Sequence, residues 1–142
     1  MYMWTHRFTV RSGDRPNVVD LTEQVRVAVR ALGDGLLHVF LPHATAGLAL
    51  MELHSGSEPD LLERLESLLP RDLAYRHRHG TPGHGRDHLL PALISPALVL
   101  AVEGGRLQLG TWQSLVLVDT NGDNLEREVW LTFLGGGSGG PP

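Results

Sequence analysis

The sequence predicts an α+β domain: a mostly antiparallel, β-sandwich-like core with two main helices packed on or beside the sheets. Three observations lead there. Segments that read as strands outnumber those that read as helices by more than two to one. They do not alternate in a βαβ rhythm, and no internal repeat divides the chain. The length, 142 residues, is that of one domain with a single core.

The elements follow in order. Trp4, His6, Phe8 and Val10 alternate with Thr5, Arg7 and Thr9, the period of a half-buried strand. Asp20 and Glu23 read as a capping box opening a helix. Leu21, Val25, Ala28, Val29 and Leu32 share one of its faces and Gly33 supplies its stop. Leu36 to Leu41 is a short apolar strand ended by Pro42. Leu48 to Glu52 is another, reached through the small-residue segment His43-Ala44-Thr45-Ala46-Gly47. A second helix accepts Pro59 in its first turn, carries Leu61, Leu62, Leu65, Leu68 and Leu69 as a stripe, and ends at Pro70. From Arg71 to Asp87 the pattern breaks into Arg, His, Gly and Pro. That stretch can form little core and is the candidate functional loop.

Ala97 to Val102 and Leu107 to Asp119 read as two strands joined across Glu103-Gly104-Gly105-Arg106, a hairpin signal. Thr120-Asn121-Gly122-Asp123-Asn124 turns the chain into a last strand, Glu126 to Leu134. Gly135 to Pro142 is a Gly/Ser/Pro tail, so one domain is expected over residues 1–134. Leu115-Val116-Leu117-Val118 is apolar on both faces and needs cover from a second sheet, a helix or another subunit.

Composition removes several chemistries. With no cysteine, disulfides, zinc fingers and thiol nucleophiles are excluded. All twelve cations are arginine, which excludes Schiff-base catalysis and a phosphate-binding lysine. A formal charge of −4 argues against a nucleic-acid footprint. No apolar run approaches the ~18 residues of a membrane span, and the first residues do not read as a signal peptide, so the expected setting is cytoplasmic.

Eight histidines remain. The densest group lies in Tyr75-Arg76-His77-Arg78-His79-Gly80-Thr81-Pro82-Gly83-His84-Gly85-Arg86-Asp87-His88. Neutral imidazoles with flanking carboxylates suit a borderline metal such as zinc, and a loop can fold several around one ion. The same composition also describes a solvated loop rich in His and Arg. His84 and His88 would share a face only on a helix, which Gly83 and Gly85 weaken. His43 opens a turn that leaves its imidazole accessible. Glu52 ends an apolar run and either emerges into solvent or, if buried, needs a cation. Asp60 sits where a helix dipole favours a carboxylate regardless of function. In Leu109-Gly110-Thr111-Trp112-Gln113, a glycine interrupts a strand pattern, as at a bulge or a close backbone approach.

In order and spacing, several of these segments together resemble the YjbQ family. They are His43-Ala-Thr-Ala-Gly, Glu52, Asp60, Tyr75-x-His77, His88 followed by leucine, and Gly105-Arg-Leu-x-Leu-Gly-Thr-Trp-Gln113. The likeness runs from about Leu36 to Leu134. It implies a compact α+β fold assembled as a homotrimer. It also implies pockets that collect histidines and carboxylates near a subunit boundary, often with a divalent metal, zinc or magnesium. The implied activity is that of a secondary thiamine-phosphate synthase, which joins a pyrimidine diphosphate to a thiazole phosphate and releases pyrophosphate.

Carried onto this chain, His43, His77 and His88 are the expected metal ligands. Glu52 or Asp60 is a further ligand, orienting group or general base, while His84, a departure from the family, would be an added proton carrier in a hydrolase. Gln113 joins them as a catalytic group. Thr45, Gly110, Thr111 and Trp112 are expected to contact substrate, and Arg76 and Arg86 to clamp its phosphates. The chain departs from many relatives at Met51-Glu52-Leu53, at His84, and at Asp123-Asn124-Leu125-Glu126-Arg127. Two further classes of function fit the same residues: a metal-assisted hydrolase of a phosphorylated metabolite, and a trimer that binds a metal or small ligand without turnover.

Overall fold

A computed structural model gives the structure of residues 1–137, so residues 138–142 of the expected tail lie outside the described residues. Its elements are β1 (Tyr2–Arg11), β2 (Asn17–Asp20), α1 (Thr22–Val29), β3 (Gly35–Phe40), β4 (Ala46–Met51) and α2 (Ser57–Leu68). A 3-10 helix (His84–His88) and α3 (Leu90–Leu93) follow, then β5 (Ala97–Glu103), β6 (Arg106–Leu107), β7 (Ser114–Asp119) and β8 (Glu126–Gly135). The strands form two sheets, one in the order β1-β8-β3-β5-β6 and one in the order β2-β7-β4. Every pairing is antiparallel. The expected α+β class and sandwich-like core are what the chain forms.

Two apolar layers hold it. Between the sheets, Leu37, Val39, Leu131 and Phe133 of the large sheet meet Leu115 and Leu117 of the small one, with Leu21, Val25 and Val29 from α1 and its entry. On the other face of the small sheet, Val116 and Val118 pack against Leu65 of α2 and Leu90 of α3. The doubly apolar run in β7 is therefore covered by a sheet on one side and by helices on the other. Burying each such side chain contributes about 1.5–3 kcal/mol, so the alternating residues of one strand tie three layers together.

Several local expectations need correction. The segment from Leu107 to Asp119 is not one strand. The chain leaves the large sheet after Leu107, turns at Gly110–Gln113, and enters the small sheet as β7. Gln113 Oε1 closes that turn by accepting the Gly110 N–H at 2.8 Å. Apolar residues on both sides of the turn hid the crossing. Asp20 Oδ1 accepts the Thr22 N–H at 2.9 Å, but the N-cap is Leu21 without a side-chain cap bond, so the expected Asp20–Glu23 capping box does not form. The helix ends at Val29 and Leu32 tucks into the core beyond it. The short β2 and α3 carry too few residues to show a period. Gly135 belongs to β8, where it pairs with Tyr2 and Gly35, rather than to a tail.

Register places the candidate residues. At one end of the small sheet Ala46 and Asn17 both oppose Asp119, and at the other Met51 opposes Ser114. Thr45 and the turn after Asp119 therefore share one end, while Glu52 and Gln113 share the opposite one, roughly 17–20 Å away for a strand of this length. The outer face of the large sheet exposes Met3, Leu36, Val99 and Leu134. Leu134 is the register neighbour of both Met3 and Leu36. No helix among the described residues is long and apolar enough to cross a membrane.

Candidate metal centre

Pro70 ends α2 and releases the His-rich loop. Gly83, at φ 78°, opens the 3-10 helix. A side chain there would collide with Arg71. Gly85 is equally specific, since a Cβ would come within 2.9 Å of both Tyr75 Cβ and the His77 carbonyl oxygen. The two glycines that weaken a helix in the sequence are thus what let the loop fold back onto it.

This folding gathers four imidazoles. The His77 ring centroid lies 3.9 Å from that of His79, 4.1 Å from that of His88 and 5.4 Å from that of His84. His84 and His88 bring their Nε2 atoms to 2.9 Å. His77, His79 and His84 each offer a ligand nitrogen, all within 4.8 Å of one another. Zinc held by imidazoles at 2.0–2.1 Å separates its ligand nitrogens by ~3.3 Å. The four rings are close to that spread, and exposed His79 is the member free to close it. Two buried nitrogens, His77 Nδ1 and His84 Nδ1, have no aligned hydrogen-bond partner. Four imidazoles this close, with His77 Nδ1 buried and unpartnered, fit a borderline cation.

Beneath the rings lies a buried carboxylate. Asp87 is fully buried and accepts hydrogen bonds from Arg71 at 3.1 and 3.3 Å, from Arg86 Nε at 3.2 Å and from Thr120 Oγ1 at 2.7 Å. His84 Nδ1 lies 3.7 Å from Asp87 and 3.0 Å from Asp123 Oδ2. Burial, then the charges of His79 and His84, lowers the His77 pKa below its ordinary value. Burial, then His77, His84 and His79, does the same for His88. Both effects favour the neutral imidazole, the form that ligates metal.

The structure brings His77, His84 and His88 together and adds His79, which the sequence reading passed over. It does not group His43 with them. The His43 Nε2 accepts the Glu128 backbone N–H at 2.9 Å, and its pKa is lowered by burial and by the charge of Arg127. Arg86 is corrected from a phosphate clamp to an internal strut. Its guanidinium is buried and spent on Glu66, the Leu69 carbonyl and Asp87. Arg76 is exposed beside His77. Thr45 is buried and bonds protein groups, accepting from Arg127 at 2.8 Å and from Asn121 at 3.2 Å.

Glu52, Asp60, Gly110, Thr111, Trp112 and Gln113 are exposed, with Glu52 accepting from Ser55 Oγ at 2.7 Å. Within one chain, Glu52 and the Gly110–Gln113 turn stand at the far end of the small sheet from Asp119. Sequence reasoning also missed the pair beneath the β7–β8 turn. Arg127 bonds Asp119 through Nε at 2.6 Å and Nη2 at 3.0 Å, and both residues are 1% exposed. A signal was there: Arg127 falls in step with Val129, Leu131 and Phe133 on the inward face of a strand, where a cation demands a carboxylate.

Comparison with known proteins places the chain in a family. The YjbQ family model, described as UPF0047 protein YjbQ-like, matches residues 6–136. A UPF0047 protein of Mycobacterium bovis is 55% identical over 122 residues, covering 86% of this chain and 95% of that protein. Among solved structures, a hypothetical protein from Aeropyrum pernix K1 superposes with a TM-score of 0.85 at 34% identity, over 94% of this chain and 99% of that one. A YbjQ-like protein of unknown function from Sulfolobus solfataricus P2 gives a TM-score of 0.87 at 25% identity, over 94% and 98%. On the family match and the M. bovis relative, the chain belongs to the UPF0047 (YjbQ-like) family.

Proposed function

We propose that the protein is a cytoplasmic, divalent-metal enzyme acting on a small phosphorylated metabolite, with secondary thiamine-phosphate synthase-like transfer as its reaction. The observation that carries the reading is the convergence of His77, His79, His84 and His88, with the His84 and His88 Nε2 atoms at 2.9 Å. Of zinc and magnesium, the donor set favours zinc, because magnesium seeks oxygen ligands and Asp87 is already occupied by two arginines and a hydroxyl.

A bound divalent cation would supply charge stabilisation to a departing phosphate or diphosphate. The chain's own residues do the rest. Asp87, held by Arg71 and Arg86, anchors the 3-10 helix that carries His84 and His88. The loop lines an open cleft of about 330 Å³, bordered by Tyr75, His77, Arg78, Gly80, His84 and neighbouring loop residues, large enough for one small metabolite fragment. Arg78 in that wall would hold a phosphate; Arg76 is exposed but does not line the cleft.

A metal-assisted hydrolase is the second reading. The capture of Arg86 by Glu66 and Asp87 favours it, since less arginine remains for a diphosphate. A homotrimer is part of the proposal, supported by the uncovered apolar patch of Met3, Leu36, Val99 and Leu134.

The test begins with zinc binding to metal-stripped protein and to a His77→Ala/His88→Ala variant. Rescue of a thiamine-requiring strain and metal-dependent phosphate release then separate the two reactions. Stoichiometric zinc binding abolished in the variant is the expected result. Wild-type protein that binds no zinc overturns the reading.

A further inference from the structure

We propose that Asp123 is the positioning residue of this centre: its carboxylate holds His84 as the Nδ1–H tautomer and thereby aims the Nε2 lone pair into the imidazole cluster. The proposal rests on the metal reading above for its consequence, but not for its geometry. Asp123 reaches the site from an element that contributes none of the histidines, the turn between β7 and β8.

The observations run outward from the ring. His84 is 7% exposed, and its Nδ1 has Asp123 Oδ2 at 3.0 Å as its nearest acidic neighbour. Asp87 Oδ2 is farther, at 3.7 Å, and that carboxylate is already taken by Arg71, Arg86 and Thr120. A neutral imidazole carries one N–H, and it sits on whichever nitrogen meets the stronger acceptor. Facing Asp123, that nitrogen is Nδ1. The 3.0 Å approach is off-line as it stands, so the ring must turn about its last torsion, which is a broad one, to align the bond. With Nδ1 committed as donor, Nε2 is left as an acceptor, directed at His88 Nε2 across 2.9 Å. It can accept a hydrogen bond from the His88 Nε2–H or hold a cation.

Asp123 is not a loose surface acid. Its backbone N–H donates to Asn121 Oδ1 at 3.0 Å, and the Asn121 N–H donates in turn to Asp119 Oδ1 at 2.9 Å, two successive side-chain-closed turns. Asn121 Nδ2 then donates to Thr45, which Arg127 also holds. Thr81 Oγ1 donates to Asp123 Oδ2 at 3.3 Å from the His-rich loop itself. The backbone under Asp123 is thus tied through Asn121 to Asp119, while its partly exposed carboxylate is contacted from the site side by Thr81 and His84. Such a carboxylate–imidazole pair fixes ring orientation and raises ligand basicity, and its loss costs 10–100-fold in metal affinity, as an order of magnitude.

The experiment uses the whole chain. In metal-free protein, nitrogen–proton correlation spectra of the histidine rings report which tautomer His84 adopts. Zinc affinity is then measured by competition with a coloured chelator for wild type, Asp123→Ala and Asp123→Asn, with thermal unfolding to verify that each folds. The expected result is an Nδ1–H ring at His84 in wild type and a move toward Nε2–H in Asp123→Ala. Zinc affinity should fall roughly 10–100-fold in Asp123→Ala and recover in part in Asp123→Asn, whose amide oxygen still accepts. An unchanged tautomer in Asp123→Ala, or zinc affinity within about twofold of wild type, overturns the assignment. Should wild-type protein bind no zinc, the metal reading falls, and the tautomer spectra alone decide the role of Asp123.

Discussion

Replacing Asp119 by alanine strips Arg127 of its ionic partner while leaving the guanidinium inside the protein. Both side chains are 1% exposed, and the pair is joined by two bonds from Nε and Nη2, with Nη2 also donating to Thr45 Oγ1. Breaking one side of such a buried pair costs about 3–5 kcal/mol. At roughly 2–4 °C per kcal/mol for a domain near this size, the melting midpoint should fall by about 6–20 °C.

The same pair need not stabilise the fold overall, because apolar replacements of both members are often neutral or better. Asp119→Ala/Arg127→Met should therefore be more stable than Asp119→Ala alone. Urea unfolding followed by tryptophan fluorescence at one fixed protein concentration measures all three chains. A fixed concentration matters because subunit association shifts apparent stability. A loss below about 1 kcal/mol in Asp119→Ala, the range of an exposed pair, refutes the argument that this charge is buried and uncompensated.

Further outcomes follow from the same geometry. The folded-state pKa values of His77 and His88 lie below their ordinary value of 6.5, so on acidification the unfolded chain takes up protons first. Metal-free protein should thus lose stability as pH falls through 6.5 toward those lowered values and hold it above. His77→Gln/His88→Gln should flatten that slope, and equal slopes in both proteins would contradict the assignment. Gly83→Ala should cost about 1–3 kcal/mol from the left-handed backbone. It should also weaken zinc binding in chelator competition, because the new methyl group displaces Arg71 from Asp87. Zinc at a hundredfold over its dissociation constant should raise wild-type stability by about 2.7 kcal/mol, an effect chelator reverses and His77→Ala/His88→Ala lacks. Trp112, 73% exposed, should be replaceable by alanine within about 0.5 kcal/mol. A change in sedimentation of Trp112→Ala would instead reveal a subunit contact there.

What the sequence disclosed depended on whether a residue's role is local. The stop at Pro70 and the strand period of β1 are short-range patterns and read through directly, whereas of the expected α2 stripe Leu65 is buried and Leu61 packs beside it but Leu68 is 64% exposed. The crossing from the large to the small sheet did not, because Leu107 and Leu115 are equally apolar and only Gly110 and Gln113 between them mark a change of direction. In the site, His77 and His88 were legible as loop histidines. The exclusion of His43 was not, since it depends on a hydrogen bond to Glu128 that is distant in sequence. Arg86 illustrates the same limit. Beside histidines it reads as a substrate clamp, yet its partners Glu66 and Leu69 sit on the last turns of α2, which fold it inward.

The polar end of β7 also bears on how the small sheet finds its alignment. Both faces of Leu115–Val118 are oily, so a slip by one position would exchange one greasy surface for another and meet little opposition from solvent. Asp119 breaks that degeneracy: only one offset seats its carboxylate against Arg127 and brings Thr120 onto Asp87. The strand is keyed at its tip, and the key is cut from the same turn that carries Asp123 to His84. Insertions or deletions in β7 should therefore disturb the imidazole cluster even where the oily layers repack without loss.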